Sequence, residues 1–333
     1  MAFASGGSHG LYYYPEGTFG ITPATPAWIP LRHTSCNLML KRDAFESKEL
    51  RSDRAVTDMR LGTYKCEGDV GIELSAFVFD DLLEGLMGGT WTANVLKQGI
   101  LQKSFSILRR YTDITQYQVF TGCCPNKLTL DFKPNGIVTG SIGFIGSTMT
   151  AALTAGSTYA TLADSNPPMD SFSATIQEGG VDFALASSIT LTLENGIEAD
   201  YVIGSKYAPQ VSWGRSRLTG KMTAFFQDLA LYNKFLNETP TSLQFVTSDG
   251  TQSYTWLMSN IKYTSADNPV TDEKPIQLDM SFSALHDVTN TNLSITRLSA
   301  STSPSASPSK SPSKSPSASP SASPSKSPSV SPS

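Results

Sequence analysis

Few residues of this chain invite a chemical reading. The histidines are His9, His33 and His286, far apart, and His9 lies in the N-terminal arm. There is no phosphate loop, no dinucleotide fingerprint and no His-Glu-x-x-His pair. Asp80 and Asp81 are adjacent acids, but an acid pair just before an apolar helical run reads as an N-cap followed by a first-turn carboxylate. Cys36, Cys66, Cys123 and Cys124 match no zinc spacing, and no histidine sits beside them. A bridge between adjacent cysteines is strained, so all four read as reduced, partly buried thiols. These residues give no catalytic constellation, no metal site and no cofactor motif, and a non-enzyme is expected.

A second group carries charge. Residues 41–60 hold Lys41, Arg42, Asp43, Glu46, Lys48, Glu49, Arg51, Asp53, Arg54, Asp58 and Arg60. A mixed-sign run is either a solvated loop or a loop that pairs with another copy, where alternating charge gives register more than affinity.

The elements that position these groups follow from the rest of the chain. Its 333 residues, 39% apolar and 10% aromatic, suffice for about two domains of ~100–200 residues. No run approaches the ~20 apolar residues of a membrane helix. Residues 1–10 lack the features of a secretory signal, so synthesis in a cytoplasm is expected. From Pro304 to Pro332 proline recurs every fourth residue within Ser-Pro-Ser-x, a segment with nothing to bury and expected to be disordered. The formal charge is −4; without residues 301–333, which contain Lys310, Lys314, Lys326 and no acid, 22 basic and 29 acidic side chains remain. Such a body lacks the basic excess of a protein that grips phosphates. Residues 1–30, with Tyr12, Tyr13 and Tyr14 in a row and Pro15, Pro23, Pro26 and Pro30, read as an extended arm that packs on its own domain or on a neighbour.

Between these ends period-two alternation dominates. Ile189, Leu191 and Leu193 alternate with polar residues, as do Leu128, Leu130 and Phe132, and Ile276, Leu278, Met280 and Phe282; Val138, Ile142 and Phe144 share one face. Asn135-Gly136 and Asn195-Gly196 are turn signals. Two short helices are expected, one capped by Asp80 and ending at Gly88-Gly89, one capped by Asp228. Their flanks match: residues 75–80 align with residues 223–228, and Cys36, Leu38 and Leu40 match Ile189, Leu191 and Leu193. The pattern predicts an internal duplication. The expected layout is an N-terminal arm (1–30), a first domain (31–150), a linker (151–175), a second domain (176–290) and a Ser-Pro tail (291–333), all mainly β.

One ordered series carries a resemblance. It runs through Ser47-Lys48-Glu49-Leu50-Arg51-Ser52-Asp53-Arg54, Asp58-Met59-Arg60-Leu61-Gly62, Gly68, Glu73-Leu74-Ser75, and the Asp80-Asp81-Leu82-Leu83-Glu84 helix closing at Gly88-Gly89-Thr90-Trp91. In the second half it continues through residues 188–196, Leu218-Thr219-Gly220, residues 225–233, Ile261-Lys262-Tyr263-Thr264-Ser265-Ala266 and Met280-Ser281-Phe282-Ser283-Ala284-Leu285. Over about residues 10–290 this resembles the tail tube proteins of long, non-contractile-tailed bacteriophages; the Ser-Pro tail falls outside it.

The resemblance implies two tandem β-sandwich or barrel units, each with a flanking helix, whose sheets join neighbouring copies around a lumen. Rings would stack through a loop that here corresponds to Lys48, Glu49, Arg51, Asp53, Arg54, Asp58 and Arg60. The implied partners are further copies of the chain, three per ring with pseudo-sixfold symmetry or six if only one half follows the tube fold. They also include the tape measure protein, the tail terminator and distal tail proteins, and phage DNA passing without specific binding; a membrane is not among them. The implied place is the virion tail, assembled in the host cytoplasm. Two other readings differ in what they predict. A β-sandwich adhesin or receptor-binding tail component predicts a monomer or simple trimer that does not stack. A hydrolase predicts a pocket of clustered acids.

Overall fold

The computed structural model describes residues 3–50, 52–53, 55–152, 159–160, 166–270 and 273–298. The Ser-Pro repeat lies outside them, as do Arg51 and Arg54. Among the described residues the chain is mainly β, with twenty strands and two short α-helices, α1 (Asp80–Met87) and α2 (Ala230–Leu236). The alternating runs form strands with their apolar members inside. Ile189, Leu191 and Leu193 are buried in strand Ala186–Glu194, and Leu128, Leu130 and Phe132 in the second part of Gln116–Phe132. Leu278, Met280 and Phe282 are buried in Gln277–Ala284. Each fully buried side chain of this size contributes about 1.5–3 kcal/mol relative to exposure.

The antiparallel pairings occur twice in the same order. In the first half Met59–Glu73 lies between Met39–Glu46 and Thr139–Gly146. Thr139–Gly146 pairs with the second part of Gln116–Phe132, whose first part pairs with Phe105–Tyr111, which pairs with His9–Pro15. In the second half Arg217–Phe225 lies between Ala186–Glu194 and Gln277–Ala284. Gln277–Ala284 pairs with the second part of Ser253–Asp267, whose first part pairs with Thr241–Ser248, which pairs with Asp170–Glu178. The opposite edge of each long strand's first part is covered by Thr148–Ala152 and by Ser294–Leu298 respectively.

Local details repeat too. Gly68 stands opposite Phe144, and Gly220 opposite Phe282. In each long strand the register shifts just after the residue facing that phenylalanine, between Pro125 and Lys127 and between Tyr263 and Ser265. A β-bulge bends a strand and increases its twist, so both long strands turn at the same place. The halves are joined directly: residues 127–132 pair with residues 189–194, which makes the sheet continuous across the chain.

Three expectations are corrected. Asp80 does not cap α1; Phe79 holds the N-cap position, and the Asp80 carboxylate is turned to Tyr254 and Arg297 from the second half. Asp228 likewise lies one residue before the N-cap Leu229, although its Oδ1 accepts the Ala230 N–H at 2.8 Å. Residues 41–46 are strand rather than loop, because the pairing Ala44–Leu61, Phe45–Arg60 and Glu46–Met59 extends the hairpin outward. Ladder hydrogen bonds satisfy one edge of that backbone whatever the side-chain charge. The C-terminal end of α1 follows the sequence: Gly88 takes a left-handed conformation (φ 58°) and its N–H bonds Glu84 O. The arm folds on its own half, with Leu11 and Tyr13 in the core and the Glu16 carboxylate accepting from the Gly20 and Gly122 amides and the Ser104 and Ser106 hydroxyls. Strands Thr148–Ala152 and Asp170–Glu178 run into both ends of the expected linker.

A Cβ added at Gly220 would overlap the buried Phe282 ring. Gly220→Ala is therefore expected to destabilise the protein by about 1–3 kcal/mol, read as a lower midpoint in urea unfolding with an unchanged slope.

Candidate assembly surface

Eight strands form one continuous run with two unlike faces. In order they are Met39–Glu46, Met59–Glu73, Thr139–Gly146, the second part of Gln116–Phe132, Ala186–Glu194, Arg217–Phe225, Gln277–Ala284 and the second part of Ser253–Asp267. One face carries Val70, Ile72, Leu130, Leu191, Met222 and Met280 into the core. Period two puts the intervening residues on the other face, and apart from Met39 and Ile145 these are largely polar. Lys41 Nζ meets Glu67 Oε1 at 2.9 Å, Lys65 Nζ meets Asp43 Oδ2 at 2.5 Å and Lys221 Nζ meets Asp279 Oδ2 at 3.4 Å. The Thr190 hydroxyl donates to Asp131 at 2.8 Å and that of Thr223 to Asp279 at 2.6 Å. Exposed pairs like these add little stability. Their consequence is electrostatic, since Lys41, Lys65 and Lys221 on this face are matched to carboxylates.

Both ends of the run are open. Among the described residues no strand pairs with the outer edge of Met39–Glu46, and none takes the edge of residues 263–267 opposite Gln277–Ala284. Thr241–Ser248 covers that edge only as far as Ile261. An unpaired edge is a template for another chain.

The described residues between 47 and 58 lie at the tip of the outward hairpin, held by the Ser47 N–H to Asp58 O bond at 2.9 Å. Here lie Lys48, Glu49, Asp53 and Asp58, with Arg60 on the flanking strand; Arg51 and Arg54 fall outside the described residues. Arg60 Nε meets Asp58 Oδ2 at 3.0 Å and the Thr57 hydroxyl donates to Glu49 at 3.3 Å. Attention to charge overlooked the apolar members of this segment. Leu50 is 98% exposed and Val56 62%, and Phe45, Met59 and Leu61 are exposed too. The signal was present in the sequence as apolar residues without a strand period among the charges.

The helices tie the layers together. Asp80 accepts from Tyr254 Oη at 2.6 Å and pairs with Arg297, whose guanidinium stacks 4.5 Å from the Trp91 ring. Burial raises the Asp80 pKa against the lowering influence of Tyr254 and Arg297, and burial with the Asp80 charge pushes the Tyr254 phenol up. On α1, Asp81 accepts from Tyr13 at 3.1 Å; on α2, Lys234 bonds Glu178 at 2.6 Å, and Tyr263 donates to the same carboxylate at 3.3 Å. Cys36, Cys66, Cys123 and Cys124 are all free, and burial pushes the Cys124 thiol up to about 12. No group of three or more metal-ligating side chains gathers among the described residues, and no helix is long and apolar enough to cross a membrane.

The histidines His9 and His33, distant in sequence, meet in a directed chain. Arg109 Nε donates to His9 Nε2 at 3.3 Å, so His9 Nδ1 carries the proton and donates to His33 Nε2 at 2.9 Å. His33 Nδ1 in turn donates to Leu31 O at 3.1 Å. A protonated His9 would set an N–H against that of Arg109. Burial, His33 and Arg109 accordingly lower the His9 pKa from 6.5 to about 4. The folded state favours the neutral ring, so this contribution is complete above about pH 6.5 and is lost as pH falls toward about 4. His9→Gln is expected to flatten the fall in melting temperature across that window; an equal fall in both proteins would assign the acid sensitivity elsewhere.

No curated protein matches this sequence. The family model described as phage tail tube protein matches residues 6–284, which span all eight strands of the two-faced sheet as well as the outward hairpin. The chain belongs to the phage tail tube protein family and is a structural component of the virion.

Proposed function

We propose that three copies of this chain close into a ring of six similar units, two tandem units per chain, and that rings stack into the hollow tube of a long non-contractile tail. The observation that supports this most is the eight-strand run with one polar face and two open edges. Barrels of about 16–18 strands already enclose water, and three chains of eight bring 24. A ring that used one half of each chain would instead need six copies. With the apolar face in the core, the polar face lines the lumen. Its matched lysines and the acidic excess of the body give DNA phosphates little to hold. The lumen encloses the tape measure protein during assembly and passes DNA at ejection. Terminator and distal tail proteins cap the two ends, and assembly takes place in the host cytoplasm. Rings stack through the hairpin tip, where Lys48, Glu49, Arg51, Asp53, Arg54, Asp58 and Arg60 set register and Leu50 and Val56 supply apolar contact.

Negative-stain electron microscopy of the purified chain tests this. Hollow tubes or stacked rings with a central channel and threefold averages are the expected result. Persistent small particles without a channel would overturn it and favour the adhesin.

Leu50→Asp with Val56→Asp is expected to leave circular dichroism unchanged and to abolish tube growth, as is charge reversal at Arg51 and Arg54. Normal tubes from the folded variants would remove the hairpin from the stacking interface. Deleting residues 301–333 is expected to leave tube formation intact by the same microscopy.

A further inference from the structure

The joint between the two halves supplies a template for the joint between chains. Residues 127–132 pair with residues 189–194 on the edge that Phe105–Tyr111 leaves free beyond Cys123. The second half presents the same arrangement without an occupant. Thr241–Ser248 leaves its long strand at Ile261, and the edge of residues 263–267 beyond it has no strand partner among the described residues. The strand equivalent to Ala186–Glu194 is the one that begins the first half, and its outer edge is likewise open.

The repeat also fixes the register. Gly68 opposite Phe144 corresponds to Gly220 opposite Phe282. Across from these glycines lie Leu38, which a Gly68 Cβ would strike, and Leu191. On the long strands the shift that precedes Lys127 corresponds to the shift that precedes Ser265. Within the chain Glu194 faces Lys127, Leu193 faces Leu128, Thr192 faces Thr129 and Leu191 faces Leu130. Carrying these pairs across the repeat sets Lys41 against Ser265, Leu40 against Ala266, Met39 against Asp267 and Leu38 against Asn268.

We infer that the edge of residues 264–268 in one chain binds residues 38–42 of a second copy, antiparallel and in this register. The inference rests on the ring proposed above and names the strands that close it. Exposure agrees with an unfilled joint. Cys36 and Leu40 are half-buried where their equivalents Ile189 and Leu193 are 2% exposed or less, and Val270 is 71% exposed where its equivalent Phe132 is 8%.

Disulfide trapping tests the register. Directly opposed residues on antiparallel strands have Cα atoms about 4.5–5.5 Å apart, within disulfide reach, while diagonal neighbours at ~7–8 Å are not. Met39→Cys with Asp267→Cys, oxidised in assembled full-length protein, is expected to give a covalent ladder that ends at three chains. Met39→Cys with Ser265→Cys, and Met39→Cys alone, are expected to give at least tenfold less. Normal tubes that fail to cross-link at 39–267, or cross-link equally well at 39–265, would overturn the register and leave the tube standing. A ladder ending at six chains would support the edge and overturn the threefold ring. Cross-linked trimers without tubes would support the edge and overturn stacking. Neither cross-links nor rings would overturn both.

Discussion

The structure depends on the requirement that strand backbones find partners. A buried N–H or C=O without a hydrogen bond costs about as much as the bond it lacks, and an exposed edge recruits whatever strand it meets. Inside this chain the requirement is met by one joint, residues 127–132 against residues 189–194, which converts two similar sheets into a continuous run of eight strands. A finite open sheet always has two ends. The proposed closure with other copies would remove both, and full closure alone truly abolishes edges. Assembly thus continues the rule that builds the chain.

The layers behind the sheet make that run stiff enough to present its ends in a defined place. Both long strands bend at a register shift opposite Phe144 and Phe282, and glycine at 68 and 220 makes room where the chains approach closely. Each helix is fastened to the corresponding strand of its own half, α1 through Asp81 to Tyr13 of His9–Pro15, α2 through Lys234 to Glu178 of Asp170–Glu178. Asp80 adds a link across the halves, since its partners Tyr254 and Arg297 come from the other half. A largely buried carboxylate with an Arg partner is expensive to break, because removing one partner leaves the other charge uncompensated. Its effect is to hold the halves in one relation, so that the two open edges are set at a fixed separation.

Much of this was legible in the residues. Alternation at Ile189, Leu191 and Leu193 located a strand and its inward face, and the match to Cys36, Leu38 and Leu40 located the equivalent strand, because period two is dictated by the pleat. The turn at Asn135-Gly136 and the end of α1 at Gly88 were readable for a similar reason: Asn135 (φ 54°) and Gly88 (φ 58°) adopt backbone that few residues tolerate. What the sequence hid was long-range. Asp80 carries every local mark of an N-cap, and only the approach of Tyr254 and Arg297, more than 170 positions away, takes its carboxylate elsewhere. Residues 41–46 looked like loop because side-chain charge says nothing about a backbone paired on one edge. The meeting of His9 with His33 needed the pairing of His9–Pro15 with Phe105–Tyr111, which no local pattern announces.

The two joints need not be equally strong. The intrachain joint sets Leu128, Leu130 and Phe132 beside Ile189, Leu191 and Leu193, all buried. The equivalent positions on the open edge hold Ala266 and Asn268, followed by Pro269. A smaller apolar contact, a polar residue on the inward side and a proline that cannot donate are the devices by which edge strands avoid indiscriminate pairing. A subunit made in large numbers must stay apart from its copies until a growing tube offers the correct neighbour. An apolar joint within the chain and, in the proposed ring, a lighter one between chains would satisfy both demands. In the proposed threefold ring the covalent link makes half of the joints unimolecular, so they carry none of the ~4–15 kcal/mol that association of separate bodies costs. The remaining contacts gain strength from closure, where each added chain is held at two edges at once.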